Sequence, residues 1–254
     1  MDDSAIRRPA KLWNRSFFLI WLGQLVSQTG QRAFGLAMLF FIKETTGSAS
    51  LMGLMMMLST LPGVLLGPMG GTFADNFSRK KIIVLGDLFN GLCVLSLALL
   101  MLFIFYGRSL MSQIYPASDF TYFMFTQVEP YGNNLLIGWL FVVATAGAII
   151  FAFFTPAVTA AVPDIVPENR LDAANSLNQF AIFVSLFIGQ GLGGILYTIT
   201  GAGMLFLINA FTYLFASGAE AFTTIPQVIP EQTKKGGEAF KAFVADTREG
   251  LMYV

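Results

Sequence analysis

The chain has 254 residues, of which 55% are apolar and 12% charged, with 26 Phe, 12 Met and a formal net charge of zero; its mean hydropathy is +0.67. A soluble domain carries about 25% charged residues, so this composition directs the chain to a bilayer and excludes disorder, collagen and coiled coil. Zero net charge gives no bulk attraction to nucleic acid, a single Cys93 excludes an intrachain disulfide, and the absence of histidine removes His-ligated zinc, Ser-His triads and His proton relays.

A membrane crossing needs about 20 mostly apolar residues to traverse about 30 Å of hydrocarbon. Six stretches meet that requirement: residues 16–42, 51–74, 82–106, 135–158, 176–198 and 204–224. The first is too long for a signal-peptide core. The expected fold is therefore an all-α membrane protein. Residues 1–15 form an N-terminal segment, 16–225 a six-helix transmembrane domain, and 226–254 a polar linker followed by an amphipathic stretch with helical spacing between Phe240 and Leu251.

Span one is polar in its middle. Gln24, Gln28 and Gln31 recur at i, i+4 and i+7 and share one face, with Ser27 beside it and Arg32 at its edge. A charge at the bilayer centre costs about 2.5–3.5 kcal/mol on insertion scales, so these five residues are expected to line a wet cavity for a small-molecule substrate. The alternatives are hydrogen bonding between helices and Arg32 snorkelling outward. Span two stacks Gly63, Gly67 and Gly71 at one turn apart, the spacing that lets helix backbones approach closely; Pro68 can bend it. Its Met52, Met55, Met56 and Met57 are expected to face lipid or neighbouring helices.

Between spans two and three lie Asp75, Arg79, Lys80 and Lys81. Asp87 follows about one and a half turns into span three, and Glu220 stands near the end of span six. Interfacial salt bridges are the expected use of these acids. The loop 107–134 carries Tyr115, Phe120, Tyr122, Phe123 and Tyr131, an aromatic density that suits the headgroup layer. Span five has Gly189, Gly191, Gly193 and Gly194. Its Gly193-Gly194-Ile195-Leu196 echoes Gly70-Gly71-Thr72-Phe73 of span two, and each span is the middle of a triplet. A three-plus-three inverted repeat would produce that echo.

Basic residues set the orientation. Arg7, Arg8, Lys11 and Arg15, then Arg79, Lys80 and Lys81, then Arg170, then Lys234, Lys235, Lys241 and Arg248 fall on one side; Lys43 and Arg108 fall on the other. The N-terminus, the 2–3 turn, the 4–5 connection and the tail are expected to be cytoplasmic. The chain breaks off after Tyr253 and Val254 as if before another span. No Walker loop or G-x-S-x-G elbow occurs, so neither an ATP-driven pump nor a membrane hydrolase is indicated. No cofactor and no metal are expected.

The run Gly71-Thr72-Phe73-Ala74-Asp75-Asn76-Phe77-Ser78-Arg79-Lys80-Lys81-Ile82-Ile83 resembles the signature loop of the major facilitator superfamily, and it sits between the spans where that superfamily has it. Trp21-Leu22-Gly23-Gln24-Leu25-Val26-Ser27, Thr155-Pro156-Ala157, and the segments 163–168 and 169–176 are similar to its macrolide-efflux and enterobactin-exporter branch. The resemblance implies half of a twelve-helix secondary transporter of the bacterial inner membrane, working by alternating access with a C-terminal six-helix half that this chain lacks. Its partners would be a small-molecule substrate and the lipid bilayer.

The resemblance also implies a conformational switch made of Gly71, Asp75, Arg79, Lys80 and Asp87. Asp75 would meet a helix end of the other half, Arg79 would hold its carboxylate, and Lys80 would fix the loop at the headgroups. Gly63, Gly67, Gly189, Gly193 and Gly194 would pack the moving helices. Four positions depart from the family pattern: Ser78 replaces a Gly, Gln31 stands where relatives often have Asp, span four has no Arg, and Gln190 replaces the Pro of the span-five antiporter motif. Proton antiport is thus implied by the resemblance, with Asp87 or Glu220 as the groups that could titrate. The competing expectation is a non-transporting membrane fragment or assembly module that needs a second polypeptide.

Overall fold

The computed structural model describes residues 11–114 and 129–227. Among these residues the fold is all-helical: α1 Arg15–Thr46, α2 Ala49–Asn76, α3 Arg79–Ile114, α4 Glu129–Ile165 and α5 Leu171–Ala221, with a 3-10 turn at Glu168–Arg170 before the last. Residues 115–128, which hold Tyr115, Phe120, Tyr122 and Phe123 of the aromatic loop, and the tail 228–254 lie outside the described residues, as does the N-terminal 1–10. α1 to α4 extend the apolar runs at both ends, because polar termini continue helical once the apolar core has nucleated them, whereas α5 stops at Ala221, short of the end of the sixth run.

Local chemistry sets the helix ends. Asn14 caps α1, its Oδ1 accepting the Phe17 N–H at 3.1 Å while its Nδ2 donates to the Ile165 carbonyl at 2.7 Å. One residue thereby starts α1 and ties down the end of α4. Gly47 closes α1 at φ 64°, a left-handed value that glycine adopts without a Cβ penalty, and its N–H returns to Lys43 O at 2.9 Å. Ser48 then caps α2.

Among the described residues, four helical stretches are long and apolar enough to cross a membrane: Ala49–Asn76, Arg79–Gly107, Tyr131–Ile165 and Glu168–Ala221. α1 has the length, at 32 residues, but its glutamines and Arg32 dilute its apolarity. α5 has 51 residues and at about 1.5 Å per residue would be far longer than a bilayer is thick if it were straight. It is not straight. Gly201 has φ 76° and ψ 179°, a non-helical geometry inside the helix. Contacts with α1 show what the break does. Before it, Leu177, Ser185, Gly193 and Tyr197 meet Trp21, Thr29, Ala33 and Glu44, rising together. After it, Phe206, Asn209, Thr212 and Glu220 meet Phe34, Gly30 and Gln24 in descending order. The two limbs of α5 therefore run in opposite directions along α1.

The backbone at Gly201 lies in a region that side chains essentially do not enter. Gly201→Ala is expected to lower stability by about 1–3 kcal/mol although nothing lies within 4 Å of the added methyl. A fluorescence-detected melt of the purified protein reads this, and an unchanged melting curve would refute it.

The core runs along the seams. Phe34 and Phe41 of α1 close on Phe206 with ring centroids 5.0 and 6.4 Å away, and Leu97, Leu136, Leu140 and Leu205 are fully buried beside them. The outside is apolar as well: Val64, Phe103, Phe187 and Ile199 are each more than two-thirds exposed. A soluble monomer rarely exposes apolar surface on that scale. Met55 is buried against the core, while Met56 and Met57 point outward.

Candidate functional site

A cavity of about 750 Å³ opens between α1, α2, α3, α4 and both limbs of α5. Gln31 and Arg32 line it from α1, Gly63 and Gly67 from α2, Asn90 from α3, and Asn209 and Tyr213 from the second limb of α5. Its walls are mainly apolar, with Phe34, Val64 and Phe151 among them. Arg32 is exposed within it, and the buried Nδ2 of Asn209 has no hydrogen-bond partner among the described residues. The site is an apolar enclosure with a few convergent donors, the usual make-up of a small-molecule site.

The polar face of α1 divides along its length. Gln31 and Arg32 reach the cavity, but Gln24, Ser27 and Gln28 are absent from its lining. Gln24 and Ser27 are buried; in the seam with α5, Gln24 Nε2 donates to Glu220 Oε1 at 3.0 Å, and Gln28, half-buried, donates to Gln24 Oε1 at 3.2 Å. Gln24 and Gln31 share a face but stand two turns apart, about 10 Å along the axis. In that distance α5 crosses from covering the face to leaving it open.

The glycines divide in the same way. A Cβ on Gly189 would stand 2.5 Å from Thr29 O, and one on Gly193 would stand 3.0 Å from Ala33 Cα, so these two let α5 press onto α1. Gly194 has only ordinary contact with Leu36 at 3.7 Å. Gly63, Gly67 and Gly71 have nothing within 4 Å, so within this chain they do not serve the close packing expected of them. Gly70 does: its Cβ would stand 2.2 Å from Ala152 O. The stripe was legible, but which member touches α4 depends on where the two helix axes cross.

The 2–3 turn is organised by Arg79. Its guanidinium pairs with Asp75 Oδ1 at 2.9 Å and Asp164 Oδ2 at 2.6 Å, and donates to Ala160 O at 3.0 Å and Ala74 O at 3.3 Å. The ends of α2, α3 and α4 are thereby joined through one side chain. Gln227 completes the junction: its Oε1 accepts the Arg79 backbone N–H at 2.8 Å, and its Nε2 donates to Ala74 O at 3.3 Å and Phe77 O at 3.1 Å. Asp164 and Gln227 were not singled out from sequence. Asp164 carried a usable signal, as an acid at the end of an apolar span on the same side as Arg79. The Asp75 side chain is 69% exposed, and Lys80 is half-exposed in the first turn of α3.

The expected interfacial salt bridges hold for Asp75 but not for Asp87 or Glu220. Both of these are buried, 2% and 0% exposed, and neither pairs with a Lys or Arg among the described residues. Position along the span misled for both, because which face of a helix end is covered depends on its neighbours: Ser217 of α5 bonds Val84 O of α3 at 2.9 Å, and Glu220 accepts the Gln24 amide of α1 at 3.0 Å.

A family model described as Major Facilitator Superfamily matches residues 20–249. Macrolide efflux protein A of Streptococcus pyogenes is 26% identical over 216 residues, covering 85% of this chain and 46% of that protein. The uncharacterized MFS-type transporter YkuC of Bacillus subtilis is 24% identical over 250 residues, covering 95% of this chain and 50% of that protein. Multidrug resistance protein 1 of B. subtilis is 25% identical over 191 residues, covering 75% of this chain and 40% of that protein. This chain spans about half the length of the first two relatives. No solved structure matches it.

Proposed function

Because the chain belongs to the major facilitator superfamily, a family of multi-pass membrane transporters and not of enzymes, we propose that it is the first six-helix half of a secondary transporter that exports a small amphipathic molecule by alternating access. The observation that carries this reading is the cavity of about 750 Å³, apolar in its walls and furnished with Arg32 and the free amide of Asn209. The names of two relatives, one a macrolide efflux protein and one a multidrug resistance protein, agree with it. The second half, supplied by the same or another polypeptide, closes the cavity.

Six crossings in a three-plus-three repeat fit the contacts. The reversal at Gly201 divides α5 into the fifth and sixth crossings. In an inverted repeat the first span exchanges with the fourth and the second with the fifth. Gly70 of the second presses on Ala152 of the fourth, and Gly193 of the fifth presses on Ala33 of the first. The two glycine motifs that echo each other in sequence thus make matching contacts. The distribution of basic residues supports a cytoplasmic N-terminus and a cytoplasmic Arg79 junction.

Asp75 is held by Arg79 on one side and is otherwise exposed, so its carboxylate is available to the N-terminus of a helix from the second half, where free N–H groups and the helix dipole favour an anion. Cells expressing the complete transporter are expected to accumulate less of an amphipathic antibiotic or dye than control cells, and Asp75→Asn is expected to lose most of that difference. Equal accumulation with and without the transporter, across a panel of such compounds, would refute the export reading. Equal accumulation in wild type and Asp75→Asn would remove only the role given to Asp75.

A further inference from the structure

The helices around the cavity differ in what they present to it. From α2 and α4 the polar side chains are the hydroxyls of Ser59, Thr60 and Thr155; the rest is apolar, with Val64 and Phe151 the bulkiest. Two of those hydroxyls are occupied in their own helix, Ser59 donating to Met55 O at 2.8 Å and Thr60 to Met56 O at 2.9 Å. α1 and the two limbs of α5 instead bring Gln31, Arg32, Gln190 and Asn209. Each helix pair is closed by a glycine, α2 on α4 by Gly70 and α5 on α1 by Gly189 and Gly193, so the cavity has an apolar pair of walls and a hydrogen-bonding pair.

Gly189 sets the exit of Arg32. A Cβ on Gly189 would stand 2.6 Å from Arg32 Cβ, so the glycine lets the arginine leave α1 past α5 and reach the cavity. Arg32 is exposed there and has no ion pair among the described residues. It is the one charged side chain among the described lining residues, and no Asp or Glu is among them. Asp87, one turn before Asn90 on α3, is buried outside the lining. Glu220 is tied to Gln24, more than two turns and about 12 Å from Arg32 along α1. Glu44 lies about 18 Å the other way and accepts the Tyr197 hydroxyl at 2.7 Å. Asn209 adds an unanswered donor: its Oδ1 accepts from Thr212 Oγ1 at 3.4 Å, but its buried Nδ2 has no partner among the described residues.

A guanidinium has five N–H donors, no acceptor, and a charge it does not lose. Inside a span such a charge must be answered. Water answers it while the cavity is open, but once a ligand displaces that water the ligand itself must do so. A cationic head would add a like charge in a low-dielectric enclosure. A neutral head would leave the charge unpaired. A carboxylate or another oxyanion supplies the opposite charge and fits the planar fork with two parallel bonds, and it is an acceptor for the amide donors nearby.

We propose that the cavity selects an amphipathic anion, whose carboxylate or similar oxyanion pairs with Arg32 while its apolar body lies against Val64 and Phe151. Gln31, Gln190 and Asn209 supply the further donors around the head group. That this anion is the transported substrate rests on the export reading; the head-group preference in binding does not.

The test uses the complete transporter in nanodiscs of zwitterionic lipid and three fluorescent probes with one apolar body: N-dansylglycine, its neutral amide, and a dansyl quaternary ammonium. Signal from empty discs is subtracted. The carboxylate is expected to bind about tenfold or more tighter than the amide, and the ammonium weakest. The preference should vanish in Arg32→Gln, survive in part in Arg32→Lys, and persist in Lys43→Gln, which removes an exposed positive charge of α1 from outside the cavity. Equal binding of the three, tighter binding of the ammonium, no binding of the carboxylate, or a preference that outlasts Arg32→Gln would overturn the proposal. The order of the three is read on the wild type, so a variant that misfolds does not shelter it. Loss of carboxylate binding when phosphatidylglycerol replaces part of the lipid would assign Arg32 to a lipid headgroup and overturn the substrate assignment. In proteoliposomes the carboxylate should also be the probe that moves fastest. Preferential binding of the carboxylate without movement of any probe would leave the anion site standing and sink the export reading; movement of the ammonium alone would do the reverse.

Discussion

Arg79→Ala is expected to abolish export and to destabilise the protein by about 2–3 kcal/mol, the cost of removing a charged group's hydrogen bonds discounted for solvent screening. The pair with Asp75 contributes least, because that carboxylate is largely in solvent. Most of the loss comes from Asp164, whose side chain is only 21% exposed, and from the Ala160 and Ala74 carbonyls. These three acceptors belong to α4 and α2, so the substitution separates the helix ends that Arg79 joins. Arg79→Lys is expected to recover part of the stability and little of the transport. A lysine has one point of charge, and it cannot span Asp75 and Asp164 on opposite ends of a planar fork. Fluorescence-detected melting and substrate accumulation in the same variants check both statements. An Arg79→Ala protein that melts and exports like the wild type would show that the junction is incidental.

The second large effect belongs to Gly70. In Gly70→Val the Cβ would lie 2.2 Å from the Ala152 carbonyl oxygen and 3.0 Å from Pro156 Cγ. The first of these is helix backbone, which cannot rotate aside as a side chain can, so α2 and α4 must part along their length. Overpacking commonly costs about 1–3 kcal/mol and sometimes more; here the obstacle is main chain, and the yield of folded protein is expected to collapse. Gly70→Ala should already show much of the loss. Gly53, on the same helix with nothing within 4 Å, supplies the contrast. Gly53→Ala is expected to be neutral or to stabilise by up to about 1 kcal/mol through helix propensity. Size-exclusion yield and melting temperature of the three variants decide it, and wild-type behaviour of Gly70→Val would mean that the α2–α4 seam is looser than these distances state.

The two predictions fall on residues that differed in how far sequence could place them. Arg79 was visible because its neighbours in the chain are its neighbours in space: Asp75 is four residues away, one helical turn across the junction. Asp164, 85 residues away, was not. Gly70 was visible only as part of an echo, and the stripe of Gly63, Gly67 and Gly71 drew the expectation of close packing instead. Spacing along a helix reports which residues share a face. It does not report where along that face another helix crosses.

By itself, the sequence determined the apolar stretches that became helices, the polar loop with Asp75 and Arg79, and the placement of Gln31 and Arg32 on an unusually polar stretch of α1. Each depends on residues within a few turns of one another, where hydropathy and helical period act directly. Only the tertiary structure decided that Gln24 turns into a seam while Gln31 stays in the cavity, and that Asp87 and Glu220 are both buried inside the bundle. The Gln24–Glu220 bond joins positions 196 residues apart. Such a contact exists only after the chain reverses at Gly201 and the helices settle at particular crossing angles, which depend on the summed packing of many side chains and on no local pattern.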